Sequence, residues 1–233
     1  MDLRAVDYLN KQGCIWVANS KFIQGLIKQV YKTDSIVIYP PTELDKFLKL
    51  SRSPKTGEAE FYFSHGRISF HKRIDLAINT CLKLGKRLKI SGQSGFQKDM
   101  DDLKQIVLDF EKNNPDKKGL VEFLGRTTDE QYTTLFTQCK AFLFPGKEDA
   151  GIAPIEAFAA GVPVIAYEAG GALEYLRDGV NGLFFKDQTV DDLVNAINKF
   201  EKIPSWNEQT IKETSKPFSS KKFSAQIQAL VNP

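Results

Sequence analysis

Apolar and polar positions alternate between two rhythms along most of this chain. Short apolar runs at Glu60–Ser64, Arg87–Ser91, Leu120–Leu124, Lys140–Phe144, Pro163–Tyr167 and Gly182–Phe185 read as strands. Between them lie stretches with apolar residues three and four apart. Arg73–Leu84 carries Ile74, Ala77, Ile78, Cys81 and Leu82. Gln97–Lys112 carries Met100, Leu103, Ile106, Val107 and Phe110. Asp129–Cys139, Ile152–Ala160 and Val190–Phe200 follow the same spacing, which is that of a helix with one buried stripe. Strands alternating with helices predict βαβ units, hence an α/β fold with a mainly parallel sheet and helices on both faces.

The two ends are less regular. Cys14–Ala18 reads as a buried strand, Asn19-Ser20 as the cap of a helix over Lys21–Tyr31, and Ser35–Tyr39 as another strand before Pro40-Pro41. Leu50–Gly57 reads as an exposed loop. Asn207–Lys222 is polar, and a last helix over Lys222–Val231 carries Phe223, Ile227 and Leu230.

Composition narrows the classes only a little. The 233 residues are 42% hydrophobic, enough for a full core. The net charge of +3 is too small and too dispersed to indicate a nucleic-acid partner. Cys14, Cys81 and Cys139 are far apart and read as core residues in a reducing compartment. With two histidines and no C-x-x-C spacing, no metal site is expected. No apolar run is long enough to span a membrane and the first residues lack a leader pattern. The expected location is the cytoplasm, with peripheral attachment at a membrane surface as the alternative.

The candidate chemistry lies where the strands end. Five of them run into Gly66-Arg67, Gly92–Gly95, Gly125-Arg126, Pro145–Glu148 and Glu168–Gly171. In a parallel sheet these loops share one edge, where glycine lets backbone approach a ligand. The densest is Glu148-Asp-Ala-Gly-Ile-Ala-Pro-Ile-Glu156. Its helix start offers N–H groups to an anion, and its two carboxylates accept from hydroxyls. Phosphate donors and hydroxyl acceptors together suit a nucleotide sugar. Arg67 and Lys72 could reach a pyrophosphate, although spacing alone favours two solvated cations. Glu156 could equally serve its helix dipole, and His65 and His71 a phosphate or the packing. No Walker loop, G-x-G-x-x-G fingerprint or Ser-His-Asp arrangement is present.

Taken in order, Gly66-Arg67 with Lys72-Arg73, Phe123-Leu-Gly125-Arg126, Pro145 through Tyr167 with Glu148 and Glu156, Gly170-Gly-Ala-Leu-Glu174 and Asp178-Gly-Val-Asn-Gly-Leu183 resemble the donor-binding half of a family-4 glycosyltransferase of the GT-B fold, mannosyltransferase-like in wording. The resemblance covers roughly residues 14–200. It implies a Rossmann-like sheet and a retaining, metal-independent hexosyl transfer. The donor would be a nucleotide-diphosphate sugar, GDP-mannose or a UDP-sugar, with no prosthetic group, and the acceptor a glycan or lipid-linked. It gives Arg67 and Lys72 the diphosphate, Glu148 the sugar hydroxyls and Glu156 the ribose. It gives Ala150, Gly151 and Ile152 the sugar or phosphate oxygens. Gly66 belongs to the donor loop, and Gly125 and Arg126 lie along the base.

Two departures stand out. The residue after Glu148-Asp149 is aromatic in the family pattern and is Ala150 here. The acceptor half is missing: the expected division is residues 1–34 as its remnant with the hinge, 35–203 as the donor-binding domain and 204–233 as a tail crossing back. A protein partner would then supply the missing half, or the chain would form a homodimer. The alternative is a non-catalytic nucleotide-sugar-binding module or a truncated fragment.

Overall fold

The computed structural model describes residues 3–57 and 60–232. Its centre is a six-stranded, wholly parallel sheet. The strands are β3 (Phe61–His65), β4 (Arg87–Ser91), β5 (Val121–Gly125), β6 (Phe142–Phe144), β7 (Val164–Tyr167) and β8 (Gly182–Phe185), after a separate pair, β1 (Val17–Ala18) and β2 (Ile36–Val37). The spatial order is β5-β4-β3-β6-β7-β8. All six predicted strands of this sheet are present, with ends shifted by no more than two residues.

Alternation within each strand divides the core into two layers, because successive side chains point to opposite faces. Phe61, Phe63, Phe142 and Phe144 face α6 (Asp129–Gln138) and α7 (Ile152–Ala159), with Phe47 of the short α3 (Asp45–Leu48) in the same layer. Tyr62, Leu143, Ile165 and Leu183 face α4 (Ile74–Leu84), α5 (Gln97–Asn113) and α9 (Val190–Glu201). Local signals set the helix starts. The Thr128 hydroxyl accepts from Gln131 N while the Gln131 side chain accepts from Thr128 N, a reciprocal capping box for α6. Thr189 caps α9 and Ser20 caps α2 (Lys21–Tyr31), each accepting from the residue three further on.

The ends depart from the sequence expectation. Cys14–Ala18 is not a buried strand: pairing is limited to Val17 and Ala18, and Cys14, Ile15 and Val17 are exposed. Cys14 is thus not a core residue, whereas Cys81 and Cys139 are fully buried. Residues 3–11 form α1 (Leu3–Lys11), with Val6 as its buried contact. The polar stretch after Asn207 contains α10 (Glu208–Ser215), which packs on α7 through Ile211. The loop 50–57 is mostly exposed, as expected, and is anchored where Lys212 Nζ donates to Leu50 O and the Arg52 guanidinium donates to Cys139 O. In the last helix, α11 (Ser220–Val231), no residue is fully buried, and Phe223, Ile227 and Leu230 are half-covered.

A carboxylate joins the first 40 residues to the main sheet. Glu174, on the short α8 (Ala172–Tyr175), accepts from Lys21 N and Phe22 N at 2.9 Å each and from Tyr39 Oη at 2.8 Å. An anion at the first turn of α2 is favoured by the helix dipole as well as by these bonds.

Candidate functional site

β3 and β6 are neighbours, but the chain leaves them in opposite directions, through α4 to β4 and through α7 to β7. Their C-terminal ends therefore open a crevice at the switch point of the sheet, the usual ligand position in an open α/β fold. A cleft of about 790 Å³ lies there. His65, Gly66, Arg67 and Lys72 line it from the β3 side. Glu148, Ala150, Gly151, Ile152 and Glu156 line it from the β6 side.

Charge in the cleft is paired across the switch point. Lys72 Nζ forms an ion pair with Glu148 Oε1, both side chains being mostly covered. Arg67 is exposed and has no ion-pair or hydrogen-bond partner among the described residues, so its guanidinium is free to meet an anion. Beside it, α7 begins with no side-chain cap, leaving its first N–H groups toward the cleft. The loop before α7 is held by Gly171 N donating to Glu148 O at 2.8 Å. Gly151 sits at φ +76°, and a Cβ there would overlap the Tyr175 hydroxyl and come within 3.1 Å of the Phe144 ring. Only glycine lets the chain pass this close to the phenol.

Glu156 lies deeper. Tyr132 Oη, on α6, donates to Glu156 Oε2 at 2.7 Å. Burial raises the Glu156 carboxyl above its ordinary value, partly opposed by the Tyr132 bond. The Tyr132 ring in turn lies against His65, with centroids 4.3 Å apart. His65 Nδ1 is 2.7 Å from Ser91 Oγ.

Burial, with Lys72 nearby, lowers the His65 imidazole to about 4. His65 is thus neutral at ordinary pH. An unfolded imidazole titrates near 6.5, so between 6.5 and 4 the unfolded chain holds the extra proton. Stability should therefore fall as pH drops through that window. Denaturant unfolding of the wild type and His65→Gln is expected to show a stability difference that changes by about 2–3 kcal/mol from pH 7 to pH 4. A constant difference would contradict a buried neutral imidazole.

Of the predicted site residues, Gly125 and Arg126 do not line the cleft. Gly125 belongs to its floor at one remove: Gly92 N donates to Gly125 O at 2.8 Å, and Gly66 N to Ser91 O at 3.2 Å. These bonds extend the sheet beyond its strand ends. Arg126 is exposed. Conversely, the sequence marks Asn19 only as a helix cap and Lys147 only as a loop residue, and gives Tyr132 no role at the site. Asn19 and Lys147 line the cleft, and the Lys147 ammonium lies 5.0 Å from the Phe22 ring of α2, tying the site loop to the N-terminal part. Among the described residues no group of three or more His, Cys, Asp or Glu is placed to hold a metal. No described helix is long and apolar enough to cross a membrane.

Comparison with known proteins settles the family. The family model described as "Glycosyl transferases group 1" matches residues 45–216. The chain belongs to the group 1 glycosyl transferases. An alpha-1,3/1,6-mannosyltransferase ALG2 from Dictyostelium discoideum is 30% identical over 217 residues, covering 78% of this chain and 51% of that protein. The human ALG2 is 28% identical, covering 82% and 50%. The chain thus spans about half the length of these curated relatives. Among solved structures, Anabaena HepE in complex with UDP superposes with a TM-score of 0.80 at 23% identity, covering 98% of this chain and 66% of that one. A glycosyltransferase from Rickettsia africae superposes with a TM-score of 0.85 at 17% identity, covering 99% and 66%. The likeness to GT-B family-4 enzymes drawn from the motifs therefore holds for family and fold.

Proposed function

We propose that this group 1 chain binds the donor of a GT-B glycosyltransferase and transfers a hexose from a nucleoside-diphosphate sugar to a glycan or lipid-linked acceptor. The observation that carries the reading is the cleft at the β3/β6 switch point, where Lys72 pairs with Glu148 and Arg67, unpaired among the described residues, shares the lining with the start of α7. On this reading Arg67 and Lys72 bind the diphosphate, and Lys72 exchanges part of its bond with Glu148 for a phosphate oxygen. Glu148, Ala150, Gly151 and Ile152 face the sugar, and Glu156 accepts from the ribose.

In the reaction the bond from the sugar's anomeric carbon to the diphosphate breaks, and its electron pair goes to the leaving oxygen. The two cations and the α7 N–H groups stabilise that charge without a divalent ion. The acceptor oxygen bonds the same face of the anomeric carbon, retaining configuration, and its proton passes to the leaving phosphate.

The mannosyltransferase names of the relatives favour GDP-mannose, and the UDP complex of HepE favours a UDP-sugar. Both remain in the proposal. The acceptor-binding half of such an enzyme would cover the exposed apolar residues Val17 and Ile36 of the β1–β2 pair and Ile15 just before it. The proposed division places residues 1–34 on its side of the hinge, 35–203 in the donor unit and 204–233 in a returning tail.

The test offers GDP-mannose and UDP-glucose in EDTA with a simple glycoside as hydroxyl acceptor, and follows donor binding, release of nucleoside diphosphate and the lengthened glycoside. Release that disappears in Lys72→Ala supports transfer. Binding without release points to a binding module, and the absence of both contradicts the reading.

A further inference from the structure

Tyr132 is a phenol on the buried stripe of α6 whose hydroxyl reaches the cleft through another residue. Its Oη donates to one oxygen of Glu156, and it is the one side-chain hydrogen-bond partner of that carboxylate among the described residues. The ring cannot drift, because Phe47, Phe63 and Phe136 meet it edge-on at centroid distances of 6.0, 6.1 and 4.9 Å and His65 closes the cleft side at 4.3 Å. His65 is itself held at 2.7 Å from the buried Ser91 Oγ at the end of β4. A chain of contacts therefore runs from the central sheet to Glu156, a residue of the cleft lining.

We infer that Tyr132 is a positioning residue, which occupies Glu156 Oε2 and presents Oε1 to a hydroxyl of the ligand. An unrestrained glutamate has three rotatable bonds, and each rotamer lost on binding weakens the complex. A fixed phenol removes that loss beforehand. It also sets which hydroxyls are read: with Oε2 taken by a donor, Oε1 accepts from a vicinal diol in one orientation. The chemistry recognised is the ribose diol of a nucleoside diphosphate, and this step rests on the donor-site reading above.

Calorimetric titration of the full chain with UDP and GDP, and with their 2′,3′-dideoxy counterparts, tests it. The proteins compared are the wild type, Tyr132→Phe and Glu156→Ala, with thermal melts run in parallel. Tyr132→Phe should weaken binding of the ribonucleotide about threefold to tenfold and leave the dideoxy compound unchanged. An equal loss on both compounds, or no loss on either, would overturn the positioning role while leaving Glu156 in place, provided Glu156→Ala itself shows a loss confined to the diol compound. If Glu156→Ala shows no diol-selective loss, or the wild type binds neither nucleotide, the reading of the cleft fails and the inference fails with it.

Discussion

Lys72→Ala is expected to weaken binding of a nucleoside diphosphate by ten- to a hundredfold while leaving the corresponding nucleoside within about twofold. The ammonium is a single charge at the centre of the cleft, and a charge-assisted bond to phosphate contributes roughly 1.5–3 kcal/mol. Transfer should fall further, by about a hundredfold or more, because negative charge grows on the leaving oxygen as the glycosidic bond breaks. The substitution also strands Glu148. Its side chain is 19% exposed and that of Lys72 27%, so water screens part of the loss. The stability cost should stay near 1 kcal/mol, a fall in Tm of about 2–4 °C. Titration with diphosphate and nucleoside, beside a thermal melt, separates the two effects. Equal weakening of both compounds would remove Lys72 from the phosphate.

Gly92→Ala should be the most damaging small substitution at the site. Gly92 follows β4 at φ +131°, and a Cβ there would overlap the carbonyl oxygen of Gly66 and lie 2.9 Å from its carbonyl carbon. The obstacle is backbone, so no rotamer relieves it. Either β3 and β4 separate at the floor of the cleft or the turn reforms. Strain plus overlap is expected to cost roughly 2–4 kcal/mol, seen as a fall in Tm of about 5–15 °C. Binding should also fall, because Gly66 and Arg67 move with the displaced carbonyl. An unchanged melting curve would mean that the glycine step after β3 and β4 is not the rigid floor described here.

The central sheet was legible because its strands are apolar runs closed by glycine. Phe142-Leu-Phe144, for example, has no polar side chain to place. The ends were less so. α10 carries Ile211 as its buried apolar residue, and its other inward contacts come from the stem of Lys212 and from Ser215, so no apolar stripe marks it. Cys14–Ala18 misled for the opposite reason: an apolar run can stay uncovered when its ladder is two residues long.

At the site, the glycine-rich loops that close the strands pointed to the edge where Arg67, Lys72, Glu148 and Glu156 line one cleft, although spacing alone favoured solvated cations and a helix-dipole carboxylate. Tyr132 could not be read, since an aromatic on a buried stripe satisfies the core pattern. Only the approach of α6 to α7 shows where its hydroxyl goes. The order of strands was likewise invisible to periodicity, and it is the order that brings Lys72 against Glu148.

If the cleft between β3 and β6 is a working nucleotide-sugar site, the chain binds a nucleoside diphosphate without a metal ion. Calorimetric titration of the purified chain with UDP, GDP and ADP in EDTA tests it most directly. One of the three is expected to bind with a Kd near micromolar, a binding free energy of about −8 kcal/mol. The same titration should be weakened at least tenfold by Lys72→Ala. A chain that melts cooperatively yet binds none of the three would contradict it.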